Sequence, residues 1–117
     1  MVRMHLVPAD RAHRHGIDEH AACEAIEGIG DVDAVHTWAQ RYSLLADPGR
    51  LSLLLAIRAV PDITVSDLAL ATGMNDTAVS QALRLLRTAG AVAARKHGRL
   101  MRYRLADETI SGLLPAL

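Results

Sequence analysis

Phenylalanine is absent from this 117-residue chain, and Trp38, Tyr42 and Tyr103 are its only aromatic residues. A core without aromatic bulk must be assembled from Leu, Val, Ile and Ala, which suits packed helices better than a large sheet. A single cysteine, Cys23, excludes an intrachain disulfide framework and fits a reducing cytoplasm. Long apolar runs are lacking as well. The densest stretch, residues 51–60, is interrupted by Ser52 and Arg58, so no membrane span is expected. Residues 1–16 hold no apolar stretch of the signal-peptide kind. These absences imply a soluble, cytoplasmic protein with no membrane partner. Half of the residues are apolar, enough for one small core, and a domain of this size gains from a second copy that covers further apolar surface.

A net charge of zero hides a strong segregation. Residues 1–73 carry ten acids against six bases, and the last thirteen residues add Asp107 and Glu108. Between them, residues 74–104 hold seven bases (Arg84, Arg87, Arg95, Lys96, Arg99, Arg102, Arg104) against Asp76 alone. An excess of six positive charges over about thirty residues marks a surface suited to a polyanion.

Punctuation by cap and breaker residues divides the chain into helices. Residues 1–16 show no apolar periodicity and contain Pro8 and Gly16, which predicts a mobile arm. A short helix is expected over 17–27, ending at Gly28 and Gly30. A second is expected from Asp31 or Asp33 to Leu45, with Val35, Trp38, Ala39, Tyr42 and Leu45 forming one buried stripe. Asp47-Pro48 is a helix start, with Asp47 capping and Pro48 at the first helical position. The helix that follows is apolar almost all round, should be the most buried, and stops before Pro61. Thr64-Val65-Ser66-Asp67 is a variant capping box, opening a short helix that Gly73 ends. Asn75 or Asp76 caps the next helix, which runs to Gly90.

That last helix divides cleanly by face. Val79, Ala82, Leu83 and Leu86 point inward, whereas Thr77, Ser80, Gln81, Arg84 and Arg87 line the outer face at helical spacing. Hydroxyl, amide and guanidinium groups in one row are what base edges and phosphates require. Residues 91–95 and 100–105 then alternate as two strands about a four-residue loop, Lys96-His97-Gly98-Arg99. Met101, Tyr103 and Leu105 share the inner face of this hairpin, with Arg102 and Arg104 outward. Helix, glycine turn, polar-faced helix and basic hairpin make a winged helix-turn-helix, mainly α with a small β-hairpin wing. Ser80, Gln81 and Arg84 are expected nearest the bases, and Thr77, Arg87, Lys96, Arg99 and Arg102 at phosphates. The organisation expected is an N-terminal arm with a short helix over 1–30 and a DNA-binding and dimerisation domain over 31–117.

The segments LLADPGRLSLLLAI (44–57), TVSDLALATGMNDTAVSQALRLLRTAGAV (64–92) and RKHGRLMRYRLAD (95–107) resemble the ArsR/SmtB family of metal-responsive winged-helix repressors. The resemblance covers residues 33–110. It implies a homodimer built on the first and last helices, bound to a palindromic operator and released by an inducer. Two-fold symmetry then places the half-sites about one helical turn apart. The family's familiar metal ligands are replaced here. Thr64 and Ser66 occupy the positions of its Cys-x-Cys pair. Asp107 matches the first residue of its Asp-x-His pair, but Thr109 stands where the His belongs.

His13, His15, His20 and Cys23 lie within eleven residues, with His20 and Cys23 at i, i+3 on the first helix and Glu24 and Glu27 on adjoining turns. Imidazole with thiolate suits Zn, Co, Ni, Cu(I) or Cd rather than Mg or Ca. These four residues are the candidate metal ligands. The competing reading is a solvated His-rich arm beside a cysteine packed as a small hydrophobe. His5, His36 and His97 are expected to be structural or solvated.

The function expected is a dimeric repressor released from its operator by a transition metal held through N-terminal His/Cys ligands. Two alternatives stay open: a winged-helix repressor answering to thiol oxidation or a small molecule, and a protein-interaction module that does not bind DNA. With no Gly-rich phosphate loop and no nucleophile–base spacing, enzymatic activity is not expected.

Overall fold

A computed structural model describes residues 6–11, 14 and 16–116. The described residues form six α-helices and three short strands, after a 3-10 turn at Ala9–Arg11. They group into two compact units that meet within a helix, residues 1–40 and 41–117.

In the first unit, α1 spans Glu19–Ile29. Asp18 caps it, its carboxylate accepting from the backbone N–H of Ala21 at 3.1 Å. The helix continues through Gly28 to Ile29, two residues beyond the expected span of 17–27, and Gly30 is its C-cap. Helix α2, Val32–Leu45, begins here and runs into the second unit. Its apolar stripe is expected to be buried, yet every residue from Asp31 to Gln40 is exposed. Val35 is 46% exposed, Trp38 40% and Tyr42 56%. Helical spacing shows that a face is built to be covered, but not by what.

The second unit holds the main core. Helix α3, Pro48–Ala59, starts as its sequence predicts: Asp47 Oδ2 accepts from the backbone N–H of Arg50 at 2.9 Å. The Arg50 side chain turns back on the corner before it, its Nε–H and Nη2–H donating to the carbonyls of Leu44 and Ser43, each at 2.9 Å. Those carbonyls close α2, whose last turn has no onward helical donors. Leu53, Leu54 and Ile57 of α3 are buried, together with Leu68 and Ala69 of α4 (Val65–Thr72). Val79, Leu83 and Leu86 of α5 (Asp76–Thr88) complete this three-helix core, with Ala91, Val92, Ile110 and Leu114 packed into the same cluster. The mostly apolar α3 is central, as its composition predicts.

Strands β2 (Val92–His97) and β3 (Leu100–Leu105) form an antiparallel hairpin. His97 pairs with Leu100, so the loop is Gly98-Arg99 alone rather than the expected four residues. Gly98 has φ +64° at the first central position, the residue and conformation that a tight type II′ hairpin turn requires. A third strand, β1 (Ile63–Thr64), pairs with the outer side of β3 through Ile63–Tyr103 and Thr64–Arg102. Two residues are too few to announce a strand by alternation. Helix α6, Glu108–Leu113, is capped by Asp107, whose Oδ1 accepts from the backbone N–H groups of Thr109 (2.8 Å) and Ile110 (3.3 Å).

Candidate nucleic-acid interface

Three local devices set the outer face of α5. Thr64 caps α4, its hydroxyl accepting from the backbone N–H of Asp67 at 3.3 Å. Asn75 caps α5, its Oδ1 accepting from the backbone N–H of Ala78 at 2.8 Å. At the far end Gly90, φ +80°, closes a Schellman arrangement: its N–H donates to the Arg87 carbonyl and that of Ala91 to the Leu86 carbonyl. The chain therefore leaves α5 in one defined direction and enters β2 after three residues.

Between these ends α5 separates its faces as the sequence predicts. Val79, Leu83 and Leu86 are buried and Ala82 half-buried, while Thr77, Ser80, Gln81, Arg84 and Arg87 are all exposed. Burial of the leucine face fixes the rotation of the helix, so the polar row faces outward in a single orientation. In the wing, Arg95, Lys96, His97, Arg99 and Arg104 are exposed.

Arg102 is placed differently from the other cations. Strand alternation sends it outward with Arg104, but it is only half-exposed, and its Nη1–H donates to the carbonyl oxygen of Asp62 at 3.1 Å. Asp62 is a residue that sequence reasoning did not single out. Its partner lies forty positions away, and nothing in a Pro-Asp turn announces such a pairing.

The candidate metal ligands are not gathered. His13 and His15 lie outside the described residues. His20 is exposed and pairs with Glu24, Nε2 to Oε1 at 2.9 Å, an i, i+4 contact on one helix face. Cys23 is fully buried. Among the described residues no three His, Cys, Asp or Glu side chains come together as a metal site. At the positions of the family's familiar ligands, the Thr64 hydroxyl and the Asp107 carboxylate are both engaged as helix caps, and Thr64 is buried. A hydroxyl is also a poor ligand for the thiophilic ions that a cysteine pair holds. These positions do not fit a metal.

Comparison with known proteins agrees with this architecture. A model of the MarR family matches residues 47–100, which run from the cap of α3 to the start of β3. The transcriptional repressor SmtB homolog of Synechocystis sp. is 40% identical over 85 residues, covering 73% of this chain and 64% of its own length. The HTH-type transcriptional regulator NmtR of Mycobacterium tuberculosis is 40% identical over 84 residues, covering 72% of this chain and 69% of its own. Among solved structures, the homodimeric winged helix-turn-helix DNA-binding domain of Mb0332 from Mycobacterium bovis, a possible ArsR-family regulator, is 34% identical. It superposes with a TM-score of 0.61 over 70% of this chain and 75% of its own. Fold and this level of identity to repressors of one kind agree, and the chain belongs to the ArsR/SmtB family of winged helix-turn-helix transcriptional repressors.

Proposed function

We propose that the protein is a dimeric repressor that lays α5 in the major groove of a palindromic operator and sets its wing against the flanking backbone. The observation that carries this reading is the row Thr77, Ser80, Gln81, Arg84 and Arg87, exposed on a helix whose opposite face is locked into the core. Ser80, Gln81 and Arg84 offer donors and acceptors to base edges, and Arg87, Lys96 and Arg99 offer charge to phosphates. The exposed α2 stripe supports a homodimer, because Val35, Trp38 and Tyr42 form an apolar face of the kind a second copy covers. Such a protein works in the cytoplasm, where its DNA is. Nothing in its site calls for catalysis. Selection of duplexes from a random pool on the full chain tests the reading. A palindromic consensus, bound less tightly as salt rises, is expected.

For the inducer, the N-terminal segment is the part of the chain that supports a transition-metal signal, through His13, His15, His20 and Cys23. His20 is exposed at its surface, paired with Glu24, and Cys23 supplies the one thiol. Since Cys23 is buried, ligation requires α1 to release it, which would couple binding to a change in this segment. Co(II) titration tests this: a thiolate charge-transfer band that vanishes in Cys23→Ser is expected. Its absence in the wild type leaves thiol oxidation or a small molecule as the signal.

A further inference from the structure

Two arginines face each other across the wing. Arg95 on β2 pairs directly with Arg102 on β3, a like-charge pair that by itself pushes the strands apart. Asp62 sits over both. Its backbone N–H donates to the Tyr103 carbonyl at 2.9 Å, its own carbonyl accepts from Arg102 Nη1 at 3.1 Å, and its Oδ2 lies 3.6 Å from Arg95 Nη2. One residue is thus joined to both strands of the wing. Asp62 also stands immediately before β1, whose second residue, Thr64, caps α4. The same residue therefore ties the wing to the entry of the helix-turn-helix.

The identity of the residue carries information. Asp62 has φ +65°, the only non-glycine residue at positive φ among the described ones. Glycine adopts that conformation without cost, and an L side chain does not. In addition, Asp62 Oδ1 and Arg102 Nε are buried without hydrogen-bond partners. Both features cost stability, so the arrangement is not one optimised for holding the fold together. The carboxylate at this position is explained by what it does to Arg95, while the backbone carbonyl of the same residue holds Arg102.

We propose that Asp62 is the positioning residue of the wing: by holding both members of the Arg95–Arg102 pair, it sets where Lys96 and Arg99 at the tip meet the DNA backbone. Arg102 is then a strut rather than a phosphate ligand. The inference rests on the DNA-binding reading above, and it separates two properties that a purely structural role would move together. Removing the carboxylate should weaken DNA binding while leaving the fold as stable as before, or more so.

The test uses the full chain and a selected duplex of about 30 base pairs, long enough for two half-sites one turn apart. Binding is followed from about 50 to 300 mM salt, and thermal unfolding is recorded for each variant. Asp62→Gly is expected to bind about tenfold more weakly, with an unchanged slope of log affinity against log salt and an equal or higher Tm. Asp62→Asn, which tolerates the same backbone and keeps an acceptor, should recover part of the deficit. Arg102→Gln should also leave the slope unchanged, whereas Arg99→Gln should flatten it by about 1.8, the signature of one fewer phosphate neutralised in each half-site of the dimer. Asp62→Gly binding as tightly as wild type overturns the proposal. So does weaker binding accompanied by a Tm drop of more than about 5 °C, which marks a folding effect. A slope flattened by about 1.8 in Arg102→Gln, one phosphate per half-site, would make that residue a phosphate ligand and remove the strut. If no duplex can be selected on the wild-type chain, the DNA-binding reading itself fails, and this inference goes with it before any variant is compared.

Discussion

Arg58, in the last turn of α3, donates its Nη2–H to the carbonyl oxygen of Pro115 at 2.8 Å and its Nη1–H to that of Leu114 at 3.5 Å. Helix α6 has six residues, too few to be stable by its own hydrogen bonds. It is held instead by the Asp107 cap at one end, by Ile110 and Leu114 in the core, and by this guanidinium at the other end.

Arg58→Ala should therefore lower stability by about 1 kcal/mol, the usual scale for a partly exposed, charge-assisted hydrogen bond. Arg58→Lys should restore only part of it, because an ammonium cannot serve both carbonyls with a planar fork. Urea midpoints of the three proteins check this.

Two glycines are expected to respond to alanine with opposite signs. Gly90 stands at φ +80° in the turn that delivers the chain from α5 to β2, and Gly90→Ala should cost about 1 kcal/mol or more. Gly28 lies within α1, with open space where a Cβ would go. Gly28→Ala should be neutral or stabilise that helix by up to about 1 kcal/mol. Thermal unfolding of the first variant and helical circular dichroism of the second are the measurements.

The exposed face of α2 makes a prediction about assembly. Val35→Asp places a charge in the middle of the apolar stripe, at a residue that is 46% exposed. The wild-type chain should sediment as a dimer at micromolar concentration and the variant as a monomer. DNA affinity should fall steeply in the variant, because two linked half-site interactions become one.

How much of the fold is legible in the sequence follows from the range of each interaction. The caps Asp47, Thr64 and Asn75 all form as expected, because a cap acts within three residues of its target. The inward and outward faces of α5 are equally legible, since one period decides both. Alternation locates the wing but not its turn. Lys96 and His97 continue the strand, and the tight loop depends on Gly98 alone. Strand β1 and the Asp62 clamp are invisible in the sequence because both arise from pairing across about forty residues. The α2 stripe reads as a face to be buried, and only the fold shows that Val35, Trp38 and Tyr42 stay substantially exposed to solvent in one chain. For the ligand cluster, closeness in sequence gives no information on burial. His20 and Cys23 are three residues apart, yet one is exposed and the other enclosed.

If the outer row of α5 reads DNA, Arg84 is its most informative member. Affinity for the selected duplex and for a scrambled duplex of the same length should be compared between wild type and Arg84→Ala across a salt series. Binding by the wild type should depend steeply on salt, and the variant should give up about 1–3 kcal/mol of its preference for the selected duplex. Salt-independent binding, or an unchanged preference in Arg84→Ala, would contradict a DNA-reading role for this helix.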